Sequence, residues 1–370
     1  MIPVNEPVIG EREKRLLCEC IETGWVSSEG PFVREFEERY AERVDRKHGI
    51  AVCNGSAALD IAVAALHIGP GDEVILPTFT IISCAAAIVR AGATPVVVDS
   101  DPWHWNMDVG QIEEKITSRT KAIMVVHIYG LPVDMEPVIQ LAEAYNLKII
   151  EDAAEAHGLT YKSIPCGSFG DISTFSFYPN KLVTTGEGGM VLTDDDELAE
   201  RCRSLRNLCF QPHKRFVHEE LGWNFRISNL QAALGLAQLE QLDLFIEKKR
   251  HIGKRYTELL KNCKSIQLPV PGTDYADNIY WVYGVVLGPD VPFNGATAMR
   301  RLKEAGVGTR PFFWPMHLQP VFREMGLFSD AACPTAEGLG ERGFYIPSGL
   351  ALTDEQMDLV ARAVLRVLGE

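Results

Sequence analysis

Lys181 lies between an apolar run and a glycine-rich turn in the segment TFSFYPNKLVTTGEGGM. This position predicts that its amine lies inside the molecule. Burial lowers the pKa of a lysine, so that the amine can act both as a nucleophile and as a carrier of protons. A single lysine after an apolar strand is more commonly a surface residue. Lys181 therefore needs partners before it indicates a site.

Two carboxylates, Asp152 and Glu155, follow the apolar residues of IIEDAAEAHG. The carboxyl ends of strands in an open α/β sheet are the usual place for ligands. A buried aspartate can keep a heteroaromatic nitrogen protonated, as a pyridoxal ring requires when it accepts electrons. Glu155 is then placed to contact the ring oxygen or the substrate. Without Lys181, a helix N-cap at Asp152 and a solvated Glu155 would be the simpler interpretation.

A turn of small polar residues leads directly into a helix in CNGSAALDIAVAAL. The amides at a helix N-terminus, with the hydroxyl of Ser56, form a ready site for a phosphate group. A plain cap would also begin this way, so the motif is weak alone. Ser176, five residues before Lys181, can add a second hydroxyl. An amine, an acidic partner and a phosphate cradle together predict an enzyme site for a phosphorylated cofactor.

The elements that must position these groups are short apolar runs separated by helical segments. Continuous runs, rather than alternation, are typical of strands buried on both faces of a mainly parallel sheet. The alternation of strands and helices predicts an α/β fold with seven strands in this part of the chain. The predicted strands lie in HGIAVCN, EVILP, TPVVVD, KAIMVVHIYG, LKIIEDAA, ISTFSFY and GGMVLTDD.

The pattern changes after GWNFRISN. One long helix is predicted over NLQAALGLAQLEQLDLFIEKKRHIGKRYTELLK, because its apolar residues recur every three or four positions. A strand in YWVYGVVL, a helix in NGATAMRRLKEAG, the extended piece VGTRPFF and a final helix follow. We therefore expect a large domain over residues 1–245 and a smaller C-terminal α/β domain over residues 246–370.

Composition excludes several classes of partner. The chain of 370 residues carries a formal net charge of -14, which argues against nucleic acid or an anionic membrane surface as the main partner. No segment has the unbroken apolar length of a membrane span, and the start shows no secretory signal. Nine scattered cysteines without a CxxC pair favour reduced thiols in the cytoplasm over disulfides or a metal site.

Motifs in family order resemble the sugar-nucleotide aminotransferases of the DegT type, which belong to the fold-type I enzymes dependent on pyridoxal 5'-phosphate. The resemblance runs from Ile2 to the last helix. It rests on IPVNEP, GWVSSEGPFVREFE, NGSAAL, GDEVILPTFT, IEDAAEAHG, TFSFYPNKLVTTGEGGM, GWNFRISNLQAALGLAQL and TRPFFWPMH.

The resemblance implies a role for each matching residue. Lys181 would hold the cofactor covalently, and Asp152 would pair with the pyridine nitrogen. The phosphate would be held by Gly55, Ser56, Ala57 and Ser176, and by Asn224 reaching in from a neighbouring subunit. The active unit implied is a homodimer with shared sites, or a higher oligomer built from it. Ile81 stands where the family usually stacks an aromatic residue on the ring, and Tyr178-Pro179 also departs from the usual sequence before the lysine.

The resemblance also implies a reaction. L-Glutamate would donate its amino group, leaving 2-oxoglutarate, and a keto-6-deoxy-sugar nucleotide would accept it. RPFFWPMH and neighbouring motifs are most similar to members that aminate C4 of GDP-4-keto-6-deoxymannose, with Phe313 and His317 lining the sugar-nucleotide pocket. A dTDP- or UDP-linked sugar, or amination at C3, remains open. A sugar dehydratase is disfavoured because that branch replaces the lysine by histidine, and a non-catalytic sensor is disfavoured by the intact Lys181, Asp152 and Ser56.

Overall fold

The computed structural model describes residues 1–211 and 213–370, which form thirteen α-helices and thirteen strands. The helices are α1 (Glu11–Thr23), α2 (Pro31–Arg43), α3 (Gly55–Ala65), α4 (Ile82–Arg90), α5 (Ile112–Lys115), α6 (Met135–Tyr145), α7 (Asp196–Arg206), α8 (Asn229–Leu239), α9 (Leu242–Leu260), α10 (Gly295–Glu304), α11 (Pro320–Glu324), α12 (Pro334–Arg342) and α13 (Asp354–Leu368).

A seven-stranded sheet forms the centre of the molecule, in the order β1-β9-β8-β5-β4-β2-β3. Its strands are β1 (His48–Val52), β2 (Glu73–Pro77), β3 (Thr94–Val98), β4 (Thr120–Val126), β5 (Lys148–Asp152), β8 (Ile172–Ser176) and β9 (Gly189–Thr193), and β6 (Thr160–Tyr161) pairs with β7 (Ile164–Pro165) in a separate hairpin. β9 runs antiparallel to both of its neighbours, β1 and β8, and the other six strands of the sheet run in one direction. The mainly parallel sheet of seven strands is thus confirmed.

The register of the sheet brings three residues into one row at the ends of parallel strands. Asp152 at the end of β5 lies beside Val126 of β4 on one side and Thr174 of β8 on the other. The inner strands are buried almost throughout, which explains their continuous apolar runs. A ligand bound at the carboxyl ends of these strands would therefore lie next to this row of residues.

A smaller antiparallel sheet of four strands follows, in the order β10-β11-β13-β12. Its strands are β10 (Ile266–Gln267), β11 (Tyr283–Leu287), β12 (Arg310–Pro311) and β13 (Gly343–Ile346). They enclose a second hydrophobic core with α9, α10 and α13. Ile2 joins this part of the molecule through a parallel bridge to Val307.

The prediction of one long helix after GWNFRISN is wrong, because the structure has two helices there, α8 and α9, separated at Glu240–Gln241. At the break, the side chains of Gln238 and Gln241 both donate to Oε1 of Glu13 on α1. Glutamine and glutamate are good helix formers, so the sequence gives no stop signal here. Contacts with α1 accompany the change of direction.

The division at residues 245 and 246 stays a prediction. Ile246 packs into the core around the large sheet, whereas Ile252, on the same helix α9, packs into the second core. Residues beyond the proposed boundary, including Trp281 and Phe312, also join the first core. Among the described residues, no helix has the length and apolar character needed to cross a membrane.

Candidate active site

A cavity of about 560 Å³ opens at the carboxyl ends of β5 and β8. It brings together most of the residues predicted from the sequence, contributed by strand ends and by the N-terminal parts of α3 and α4. Those lining it are Gly55, Ser56, Ile81, Asp152, Glu155, Ser176, Lys181 and Phe313. The groups predicted to supply an amine, an acid and a phosphate cradle thus share one cavity.

The amine of Lys181 is enclosed, with only 9% of its side chain exposed. Its Nζ lies 3.7 Å from Oε1 of Glu155 and 3.7 Å from the centre of the Trp281 ring. Burial lowers the pKa of the Lys181 amine, while the carboxylates of Glu155 and Asp152 oppose this shift. The side chain is therefore desolvated, as a lysine that both attacks and carries protons must be.

Glu155 and Asp152 face the same amine from different positions. Burial raises the pKa of the Glu155 carboxyl, and the nearby Lys181 ammonium counteracts the rise. Oε2 of Glu155 accepts a hydrogen bond from the amide of Tyr129 at 2.8 Å. Burial likewise raises the pKa of Asp152, whose carboxylate accepts bonds from the Ala154 amide and the Cys84 thiol. A proton or positive charge brought near these oxygens is strongly favoured.

The N-terminus of α3 also lines the cavity. Asn54 caps the helix by accepting from the amide of Ala57, so the amides of Gly55 and Ser56 precede the first bond of the helix. A Cβ added at Gly55 would lie 2.8 Å from Cβ of Ser176, so only glycine allows this approach of helix and strand. Two amides and the Ser56 and Ser176 hydroxyls together make a site for an anion.

His157 fixes the strand segment that carries Ser176. Its Nε2 lies 2.9 Å from the carbonyl oxygen of Ser176, which can only accept, so Nε2 carries the proton. Nδ1 then accepts from the hydroxyl of Tyr40 at 2.7 Å. Burial lowers the pKa of His157 to about 3, so the ring stays neutral and this tautomer is retained.

Three predicted residues do not line the cavity. Ala57 is buried within α3, and its amide is already bonded to Asn54. Asn224 is exposed and pairs with Asn207. His317 is buried, with Nδ1 at 2.8 Å from Oγ1 of Thr78 and Nε2 at 3.1 Å from Oε1 of Glu337.

Sequence reasoning missed several residues of the site. Trp281 covers Lys181, and Cys84 donates to Asp152 at 3.2 Å. Both lie far along the chain from their partners, so no spacing rule predicts the contacts. The sequence offered only weak signals for these two residues. Trp281 lies in the predicted strand segment YWVYGVVL, and Cys84 follows the PTFT motif by only a few residues.

A family model, the DegT/DnrJ/EryC1/StrS aminotransferase family, matches residues 7–365. The chain belongs to this family. It is therefore an aminotransferase that depends on pyridoxal 5'-phosphate.

Relatives and a solved structure agree with this assignment. The chain is similar to "GDP-perosamine synthase" of Escherichia coli O157:H7, at 42% identity over 98% of this chain and 97% of that protein. It is 40% identical to "GDP-perosamine synthase" of Caulobacter vibrioides, over 99% of this chain and 98% of that protein. The crystal structure of the aminotransferase TlmJ from Streptoalloteichus hindustanus matches with a TM-score of 0.93 at 31% identity, covering 100% of this chain and 99% of that chain. The predicted fold of these enzymes is thereby confirmed.

The residues present fit the cofactor. Oγ1 of Thr174 and Oδ1 of Asn180 are buried, and neither has a hydrogen-bond partner among the described residues. Both residues line the cavity, so polar atoms there are left for a ligand. With the anion site at α3, the carboxylate of Asp152 and the amine of Lys181, the donor set matches a phosphate, a pyridine nitrogen and an aldehyde.

Another buried cluster has the residue types of a metal site. His127, Glu151 and Cys166 bring their ligand atoms within 4.8 Å of one another. However, Nε2 of His127 already lies 2.8 Å from Oε1 of Glu151, and its Nδ1 accepts from the Val133 amide. Glu151 also accepts from the amides of Gly167 and Phe169. These bonds tie the segment after the β6–β7 hairpin to the sheet, so we assign the cluster a structural role.

Proposed function

We propose that this aminotransferase moves the amino group of L-glutamate onto C4 of GDP-4-keto-6-deoxymannose, which yields GDP-perosamine and 2-oxoglutarate. The observation that carries the proposal is the 42% identity to the Escherichia coli GDP-perosamine synthase over almost the whole of both chains. The cavity supports the reaction type, since it combines a desolvated lysine with two carboxylates and an anion site.

The residues of the cavity divide the work of the transfer. Pyridoxal phosphate supplies, when bound, an electron sink that stabilises negative charge at the carbon losing a proton. We assign Lys181 the covalent attachment and the movement of that proton, because its Nζ is the enclosed amine of the cavity. Asp152 holds positive charge at the ring nitrogen. The N-terminus of α3, with Ser56 and Ser176, holds the phosphate.

The placement of Phe313 supports our proposal that the sugar nucleotide binds in the same cavity. Its ring lines the cavity, 5.5 Å from the Tyr129 ring and 6.0 Å from the Phe79 ring. Its amide donates to the hydroxyl of Tyr129 at 3.3 Å. This packing gives one wall of the cavity a rigid aromatic surface. A direct contact of His317 with the substrate stays a prediction, because that ring is engaged by Thr78 and Glu337.

We further propose a homodimer with shared active sites in the cytoplasm. Asn224 is exposed and lies outside the cavity of its own chain, which supports a role in the neighbouring site. Large apolar side chains are exposed after α1, at the start of α4 and on the segment before Asn224. They include Trp25, Val26, Ile81, Ile82, Phe216, Val217 and Leu221. A second copy of the chain would remove such apolar surface from water. The nine cysteines are all free, which supports a reducing compartment.

The substrate is tested with a panel of keto-sugar nucleotides. The enzyme, first loaded with pyridoxamine phosphate, is mixed with GDP-4-keto-6-deoxymannose and separately with dTDP- and UDP-linked 4-keto and 3-keto sugars. Return of the absorbance of pyridoxal phosphate at the highest second-order rate with the GDP-linked 4-keto sugar would support the proposal. A faster reaction with another nucleotide or with a 3-keto sugar would replace it by that reaction.

A further inference from the structure

Trp281 makes two contacts with consecutive residues of the cofactor-binding loop. The centre of its ring lies 3.7 Å from Nζ of Lys181. Its indole Nε1 donates a hydrogen bond to the carbonyl oxygen of Asn180 at 2.9 Å. The side chain is buried, with 4% exposed, and lines the same cavity. One side chain from beyond α9 thus contacts both the amine and the backbone that presents it.

The backbone fixes the position of this ring. Tyr280, immediately before Trp281, has a backbone φ of +53°, and Tyr129 has a φ of +56°. Positive φ is costly for residues other than glycine and persists where the surroundings enforce it, often at functional sites. Gly130 follows Tyr129, and a Cβ added there would lie 2.5 Å from the amide nitrogen of Trp281. The turn after β4 and the segment before β11 are therefore pressed together, and the ring has little freedom to move.

Among the groups around Lys181, the Trp281 ring can act only by stabilising the protonated form of the amine. Glu155 and Asp152 face the amine, and the thiol of Cys84 and the neutral ring of His157 lie nearby. The face of Trp281 adds an attraction to the ammonium form that it does not offer to a neutral amine, because the ring quadrupole acts on the positive charge. Removal of the ring would therefore destabilise the protonated lysine alone.

We propose that Trp281 is a positioning residue of the amino-group transfer: its ring face holds the Lys181 ammonium whenever that lysine is not bonded to the cofactor, and its indole N–H fixes the loop that carries the lysine. The inference rests on the transfer of amino groups by this site and is independent of which sugar accepts them. It assigns Trp281 control over how readily Lys181 gives up and takes back its proton.

The test measures the protonation of Lys181 directly. The enzyme is loaded with pyridoxamine phosphate, so that Lys181 is free, and is treated with limiting acetic anhydride at a series of pH values. Mass spectrometry of the peptide that contains Lys181 gives the acetylated fraction, which follows the neutral amine. We expect Trp281→Leu to lower the pH midpoint by about one unit, because the ammonium loses its attraction to the ring.

Two further variants make the result specific. Trp281→Phe keeps a weaker ring face and should lower the midpoint by a smaller amount. Trp103→Leu makes the same change at an exposed tryptophan outside this cavity and should leave it unchanged. Circular dichroism checks folding; if Trp281→Leu does not fold, Trp281→Phe decides. A midpoint equal to wild type in the folded variant would overturn the proposal. Lack of turnover with the GDP-linked sugar would reject the proposed substrate and leave these midpoints unaffected.

Discussion

The thiol of Cys84 donates a hydrogen bond to Oδ2 of Asp152 across 3.2 Å. Both side chains are buried, and burial raises the pKa of the Cys84 thiol well above its ordinary value, so the thiol keeps the proton that it donates. Oδ1 of the same carboxylate accepts from the Ala154 amide at 3.0 Å. These two hydrogen bonds hold in one orientation the carboxylate that we propose as the partner of the ring nitrogen.

Replacement of Asp152 by asparagine tests that role. An amide cannot stabilise a positive charge on a pyridine nitrogen, so we expect kcat/KM of Asp152→Asn to fall by a hundredfold or more, which corresponds to about 3 kcal/mol in the transition state. Steady-state kinetics with the cofactor content measured from absorbance checks this. Cys84→Ser is the matched control, because a hydroxyl can still donate to the carboxylate. Near-wild-type rates in a fully loaded Asp152→Asn would reject Asp152 as the partner of the ring.

Mixing Lys181→Ala with Asn224→Ala chains tests whether the sites are shared between subunits. If each site takes Lys181 from one chain and Asn224 from its partner, a mixed dimer of Lys181→Ala and Asn224→Ala collects both lesions in one site and leaves the other site whole. Equal amounts with full exchange should then recover about a quarter of the wild-type activity. Asn224→Ala alone should lose cofactor more readily and still form dimers. No recovery, with exchange confirmed by differently tagged chains, would place Asn224 in its own chain's site.

Ile81 lines the cavity with 43% of its surface exposed, in the position where the family usually has an aromatic residue. Aromatic stacking stabilises a ring by about 0.5–1.5 kcal/mol beyond the burial of area. We therefore expect Ile81→Tyr to slow the release of pyridoxamine phosphate by roughly 2- to 10-fold, since that form has no covalent link to Lys181. The choice of nucleotide should not change. Release measured as equal or faster would mean that another group already covers this face.

The burial of Lys249 predicts that the free energy of unfolding depends on pH, independently of catalysis. The side chain is buried, its Nζ donates to the carbonyl oxygen of Ser348 at 2.6 Å, and burial lowers its pKa to about 7. Between about pH 7 and the ordinary lysine value near 10.4, the unfolded chain therefore binds the proton that the folded chain lacks. The free energy of unfolding should consequently rise with pH across this window, by a few kcal/mol from this group.

The matched variant is Lys249→Met, which keeps the length of the side chain and cannot titrate. The difference in unfolding free energy between wild type and variant should shift in favour of wild type as pH rises from 7 to 10, measured by urea denaturation. The other titrating groups are common to both proteins and cancel in this difference. A difference that stays constant across the window would show that Lys249 is charged in the folded protein or accessible to water.

The sequence predicted those parts of the structure that depend on local pattern. The apolar runs in β4 and β5 predicted buried strands because helices cover both faces of a mainly parallel sheet. The motif around Asn54 predicted the start of a helix, and α3 begins there with Asn54 as its cap, whereas phosphate binding at this terminus stays a prediction. The division between α8 and α9 could not be predicted, since the contacts of Gln238 and Gln241 with Glu13 form only when α1 packs beside them.

The site residues that the sequence did not predict are brought together by tertiary contacts between distant segments of the chain. Trp281 lies 100 positions after Lys181 and reaches it only because the segment before β11 is pressed against the turn at Gly130. Cys84, in the first turn of α4, contacts Asp152 at the end of β5 only in the folded chain, and the residue types alone do not predict this contact. His317 was predicted to line the pocket from the resemblance of RPFFWPMH; its two ring nitrogens are engaged by Thr78 and Glu337, so a contact with the substrate stays a prediction.

The most direct test of Lys181-dependent transfer is a single half-reaction with L-glutamate. The purified enzyme with bound pyridoxal phosphate is mixed with L-glutamate without a sugar nucleotide, and absorbance and released 2-oxoglutarate are followed together. Wild type should lose the absorbance of the lysine-bound cofactor and release one 2-oxoglutarate per active site, whereas Lys181→Ala, still folded and able to bind cofactor, should release only a trace. Stoichiometric release by Lys181→Ala at the wild-type rate, or no release by wild type, would contradict the assignment.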